Sequence, residues 1–234
     1  MEKVDLIIKA ANSFFSELQN DKNGRYRSWE YCYKNFHDAR NTSMIDYDYL
    51  SLQLAFYLAS WGMYRGSTFL LQKDYKVHTP IVKEIMKPDY DCLLELDCFK
   101  YDYSKENALF EIKCFMDDYY SSLRQSTKNQ NLKTPISQTL VTKILMGTLG
   151  CVPAYDRYFV DAVTKYDITT GTFNKKSLKK LMEFYRENYL DFENARKQFM
   201  IDNILYPQMK FLDMGFWQIG LELNNEKARN QTKI

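Results

Sequence analysis

Glycine and proline are scarce, with 8 Gly and 5 Pro in 234 residues. That scarcity excludes collagen-like and low-complexity chains and speaks against a turn-rich all-β fold. Neither sign of charge dominates: 32 Lys+Arg stand against 30 Asp+Glu, so no global positive field announces a nucleic-acid binder. Imidazoles are limited to His37 and His78, and Cys32, Cys92, Cys98, Cys114 and Cys151 form an odd set with no C-x-x-C pair. A structural zinc site is therefore not expected, nor any other metal or cofactor. The thiols read as reduced, mostly buried groups of a cytoplasmic protein. The most apolar run, Leu54 to Tyr64, is about half the ~20 residues a membrane span requires. At the start, acidic Glu2 and Asp5 replace the basic, then apolar, pattern of a signal peptide, so no membrane partner is expected.

What is present is a globular composition, 45% hydrophobic and 26% charged, rich in aromatics with 19 Tyr and 15 Phe. Apolar residues recur at helical spacing almost throughout, and no alternating run is long enough for a sheet. The expected class is all-α, a multi-helix fold forming one domain over residues 1–223 with a polar tail over 224–234. The polar stretch Ser121 to Lys133 would divide two helical lobes around a cleft.

Several helices can be placed. Val4, Ile7, Ala11, Phe14 and Leu18 share one stripe, ended by Asp21-Lys22-Asn23-Gly24, and Ser28 is the expected N-cap of a second helix. Tyr49 to Tyr64 is apolar all round and is expected to be the central helix. Thr79-Pro80 and Thr134-Pro135 each place a capping threonine before a proline that lacks an amide hydrogen. Lys87-Pro88 and Gly150 are the corresponding stops. Ser104 is expected to begin another helix, and Pro153 a short one. One long helix is expected from Lys175 to Tyr206, broken by Pro207 before a last helix holding Phe211 to Ile219.

Four constellations could carry chemistry. Pro88-Asp89 followed by Glu111-Ile112-Lys113 matches the PD…(D/E)-x-K signature of restriction-type nucleases, whose carboxylates hold a divalent cation. That chemistry needs a strand at Glu111, because residues two apart on a helix point nearly 200° away from each other. Trp61-Gly62-Met63-Tyr64-Arg65-Gly66-Ser67 carries two helix-weakening glycines and Arg65, the sole charge between Leu54 and Leu71. Such an arginine must meet a carboxylate or face a cavity, and Asp156 is the expected partner. Replacing a buried, paired Arg65 with Met would cost about 3–5 kcal/mol. The third is Asp156 itself, set among Tyr155, Arg157 and Tyr158 after an apolar helix and a proline turn. The fourth is the basic cluster Lys175, Lys176, Lys179 and Lys180, which opposes the acidic preference of a helix start and suits phosphate.

Residues 132–160 resemble the core of helix-hairpin-helix DNA glycosylases. Thr139 to Gly150 is similar to the apolar helix that follows the hairpin and ends in glycine, and Asp156 falls at the family's catalytic aspartate. The hairpin glycines would fall in Leu132 to Ser137, where none is present, and the nucleophilic lysine of some members would be Gln138. The resemblance implies an all-α, two-lobed fold, an aspartate that stabilises the developing sugar cation, and a flipped base held by aromatic residues.

Taken together, the expectation is a nucleic-acid-associated protein, binding DNA or RNA in a cleft lined by Arg65 and Asp156. Asp156 would be catalytic. Trp61, Tyr64, Arg65, Ser67, Tyr155, Arg157 and Tyr158 would contact ligand, and the lysine cluster would grip phosphate. The alternative is a non-enzymatic interaction or assembly protein that binds a protein partner or a second copy of itself.

Overall fold

A computed structural model describes residues 2–66, 68–126 and 136–231, and the fold is all-α as expected. Helix α1 (Lys3–Asn20) buries Ile7, Ala10, Ala11, Phe14 and Leu18 on the stripe read from the sequence. A 3-10 turn at Arg25–Arg27 leads into α2 (Ser28–Ala39). Ser28 is the first residue of that helix and not its cap, and its hydroxyl is buried without a hydrogen-bond partner.

Helix α3 (Tyr47–Ser60) is capped by Asp46, which accepts the Tyr49 amide at 2.9 Å. It stops short of Tyr64 and is not central. Leu50, Leu54, Tyr57 and Leu58 are buried, while Leu52, Phe56 and Ala59 face solvent. Helix α4 (Thr79–Ile85) has proline in its first turn, but the Thr79 hydroxyl bonds Ser51 at 3.0 Å instead of capping. Helix α5 (Tyr103–Gln125) starts one residue before Ser104, and Asp102 caps it. Thr134-Pro135 lies outside the described residues; Ser137 caps α6 (Gln138–Thr148), which ends at Gly150 with φ +66°.

Pro153 does not open a helix. Helix α7 (Arg157–Lys165) begins four residues later, after a loop ending in Asp156. The expected long helix from Lys175 is three elements: α8 (Lys175–Glu187), α9 (Tyr189–Arg196) and a hairpin of β1 (Met200–Ile201) with β2 (Ile204–Leu205). Asn188 closes α8 by donating its side-chain amide to Phe184 O at 2.8 Å. Asp202, at φ +50°, turns the hairpin with Asn203, a two-residue turn signal that helical periodicity masks.

The last helix, α10 (Gln208–Gln231), is the central one, since every residue from Gln208 to Gly220 is buried. It carries helical geometry well into the segment expected to be a frayed tail. Helices α1 and α7 flank it. The contact with α7 is close because Gly220 has no side chain: a Cβ there would lie 2.0 Å from the Tyr158 carbonyl oxygen. Among the described residues no helix is long and apolar enough to cross a membrane. Cys32, Cys98 and Cys151 are buried, Cys92 and Cys114 are exposed, and all five are free thiols.

Candidate functional site

The site is assembled from chain reversals. After Ser60, Gly62 adopts φ +78°, a left-handed conformation that side-chain-bearing residues avoid. Its amide donates to Ala59 O at 2.9 Å and that of Met63 to Leu58 O at 2.8 Å, closing α3 in the two-bond pattern of a left-handed helix stop. Trp61, Met63 and Arg65 therefore ride on a turn. Both glycines of this motif belong to the turn and not, as the sequence suggested, to a helix face.

A second reversal delivers Asp156. The loop from Cys151 is held on two sides: the Ala154 amide donates to Asp213 Oδ1 of α10 at 2.9 Å, and the Tyr155 amide donates to Thr142 Oγ1 of α6 at 2.9 Å. Thr139 Oγ1 donates in turn to Tyr155 O at 2.9 Å. Asp156 then caps α7, its Oδ1 accepting the amides of Tyr158 and Phe159 at 3.1 and 3.2 Å. The other carboxylate oxygen takes Lys143 Nζ at 3.1 Å.

These pieces enclose a cavity of about 380 Å³. Four aromatic residues stand in its wall: Tyr26, Trp61, Tyr158 and Trp217. They meet mostly edge to face, with ring centroids 5.7 Å apart for Trp61 and Trp217, 5.5 Å for Tyr26 and Trp217, and 5.4 Å for Tyr158 and Trp217. Among the described residues, four cations line the same space, Arg25, Arg65, Lys143 and Arg157, with Asp156 as the one lining carboxylate. Lys143 Nζ is 4.7 Å from the Trp61 ring centre, and the Arg25 guanidinium is 4.8 Å from that of Tyr26. Arg157 donates to Asn224 Oδ1 at 2.6 Å and stands 3.9 Å from Asp161.

Near Trp61 lies a second pair, outside the cavity lining. Lys210 and Asp213 of α10 are 3.1 Å apart and each only 2% exposed. The Lys210 ammonium sits 4.8 Å from the Trp29 ring centre and 5.5 Å from those of Phe14 and Trp61. Burial pushes the Lys210 pKa down and that of Asp213 up, and each partner's charge works against the shift.

Of the residues expected from the sequence, Trp61, Arg65, Asp156, Arg157 and Tyr158 converge on this cavity. The expected Arg65–Asp156 pair does not form. Arg65 is exposed, because the Gly62 reversal carries it to the surface, and Lys143 takes the carboxylate instead. Tyr155 is buried with its hydroxyl on Ser177 at 2.9 Å, and Tyr64 shares a 2.6 Å hydrogen bond with His78 Nε2; neither lines the cavity. Ser67 lies outside the described residues. Lys175, Lys176, Lys179 and Lys180 are exposed on α8 away from the cavity, with Lys175 paired to Glu106 at 3.0 Å.

The nuclease arrangement fails on geometry. Glu111 and Lys113 lie on α5, where Lys113 pairs with Asp117 at 2.6 Å, so they cannot project to one side as a strand would allow. Among the described residues no group of three or more His, Cys, Asp or Glu could hold a metal ion.

Sequence reading passed over Arg25, Tyr26, Thr139, Lys143 and Trp217. Lys143 had a usable signal: it is the sole charge between Leu140 and Leu149, the criterion that singled out Arg65. Tyr26 and Trp217 had none, being far apart in the chain and joined only by packing. No protein-family model, curated protein or solved structure matches this chain.

Proposed function

We propose that the cavity receives one unstacked nucleotide of a nucleic-acid chain, with the base among the aromatic residues and phosphate at the guanidinium groups. The observation that carries this reading is the joint lining of four aromatic rings and four cations against a single carboxylate. Aromatic faces hold bases of any identity, and guanidinium forks suit phosphate oxygens. A volume of about 380 Å³ is at the small end of ligand pockets, which span about 300–1,000 Å³. That suits one nucleotide and not a stacked run.

Asp156 is the chemistry-bearing group of this proposal. It has no freedom to swing, since three donors hold it, and a fixed carboxylate beside a sugar is what stabilises positive charge as a base departs. The likeness of residues 132–160 to helix-hairpin-helix DNA glycosylases supports the same placement, and Lys143 supplies a cation that the motif comparison did not anticipate.

The test is anisotropy of a labelled single-stranded oligonucleotide across a salt series. Two phosphate contacts, one for each unpaired guanidinium, give a slope of about −1 to −1.5 in log affinity against log salt. Binding that is absent, or flat with salt, overturns the reading. One observation favours a second reading, a protein-binding face: Tyr49, Leu52 and Phe56 are exposed along α3, near exposed Tyr31 of α2. A concentration-dependent oligomer that Phe56→Ser dissolves, with no oligonucleotide binding, would establish it.

A further inference from the structure

We infer that the nucleotide in this cavity carries a phosphomonoester: a free nucleoside monophosphate or the phosphorylated end of a strand. This rests on the binding reading above and adds to it the ligand's charge and its place in the chain.

Charge is the first argument. Four cations meet one lining carboxylate, and Asp161, 3.9 Å from the Arg157 guanidinium, supplies a second. Two positive charges are left uncompensated at the wall. Among the described residues, Arg25 and Arg65 have no carboxylate within ion-pair distance, so they account for that surplus. An internal phosphodiester brings one negative charge, whereas a terminal phosphate brings about −1.5 to −2 at neutral pH. The monoester matches.

The donors are the second argument. A helix start can hold phosphate with free amides, but at α7 the amides of Tyr158 and Phe159 are already taken by Asp156. Those two amides are not open to phosphate, and the guanidinium groups of the wall are. Arg25 and Arg65 reach the cavity from different elements, the 3-10 turn before α2 and the turn after α3. Two guanidinium forks from separate directions can engage three terminal oxygens, one more than the two non-bridging oxygens of a diester.

The experiment follows the fluorescence of Trp61 and Trp217 while titrating the four common nucleoside 5′-monophosphates and their nucleosides. Octanucleotides with and without a terminal phosphate, at the 5′ or the 3′ end, form the second arm. At least tenfold tighter binding of the phosphorylated member of each pair is expected. Arg65→Gln should erase that advantage, weakening the phosphorylated member of each pair far more than its unphosphorylated partner, with the melting temperature unchanged. Equal affinity within the pairs, or an advantage that survives Arg65→Gln, overturns the inference and leaves the nucleic-acid reading standing. A tenfold advantage for free monophosphates, with no oligonucleotide binding, upholds the inference and overturns the nucleic-acid reading. No binding in either arm overturns both.

Discussion

Two lysine–aspartate pairs lie near Trp61, their ammonium groups 4.7 and 5.5 Å from its ring centre, and they differ in access. Lys210 and Asp213 are both 2% exposed, with aromatic rings around the ammonium and one backbone amide on the carboxylate. Lys143 and Asp156 have the same 3.1 Å separation and a similar aromatic neighbour, but Asp156 is 15% exposed and opens onto the cavity. The same chemistry thus does two jobs. The sealed pair ties α10 to the loop that delivers Asp156, and the open pair lines the cavity. Burial decides which, because a charge without water depends wholly on its partner.

Breaking each pair tests the contrast. Lys210→Met leaves Asp213 ionised or protonated in the core without its ammonium, and should cost about 3–5 kcal/mol in urea unfolding. Lys143→Met should cost less, about 1–3 kcal/mol, because Asp156 keeps two amide donors and some water. Equal losses would show that the two sites are equally sealed.

Acid separates another sealed site from the open one. His78 lies between the hydroxyls of Tyr64 and Tyr120, each at 2.6 Å, and burial pushes its pKa down to about 3. The unfolded chain binds the proton near pH 6.5 and the folded one does not. His78 therefore contributes full stability above pH 6.5, and that contribution is lost as pH falls towards 3, by about 1.4 kcal/mol for each unit. Between pH 6.5 and 4.5 the difference in unfolding free energy between the protein and His78→Gln should narrow by about 2 kcal/mol. A pH-independent difference would mean that the imidazole takes up its proton in place.

Smaller effects sharpen the picture around the cavity. Gly220→Ala pushes a methyl against the Tyr158 carbonyl, a backbone atom that cannot rotate away, and should cost about 1–3 kcal/mol and loosen the α7–α10 joint. Its unfolding midpoint and its ligand affinity should fall together. Arg65→Met comes last. The sequence alone led to an expected loss of about 3–5 kcal/mol for a buried pair, but an exposed side chain without a carboxylate should change stability by no more than about 0.5 kcal/mol. A larger drop in melting temperature would show that Arg65 has a hidden structural partner.

Much of the fold was legible. The stripe from Ile7 to Leu18, Gly150 and Pro207 mark elements by local chemistry that needs no neighbour, whereas Asp102, the cap of α5, was passed over for Ser104 two residues later. The errors have local causes too. Ser28 and Thr79 have the right side chains for caps but lie one position inside their helices, and Asp202-Asn203 turns a hairpin within an apolar run that also suits a helix. At the site, Arg65, Asp156 and Trp61 stood out as isolated polar or aromatic groups in apolar surroundings, and they do share a cavity.

The order of amino acids by itself determined that this chain is helical and where some of its helices begin or stop. Those are properties of short windows, governed by periodicity and backbone capping. The tertiary structure decided which carboxylate each cation found, which of two apolar helices became the centre, and that Tyr26 and Trp217, about 190 residues apart, would pack edge to face in the wall of one cavity. Pairing and enclosure depend on how helices cross, and crossing is settled by packing over the whole core.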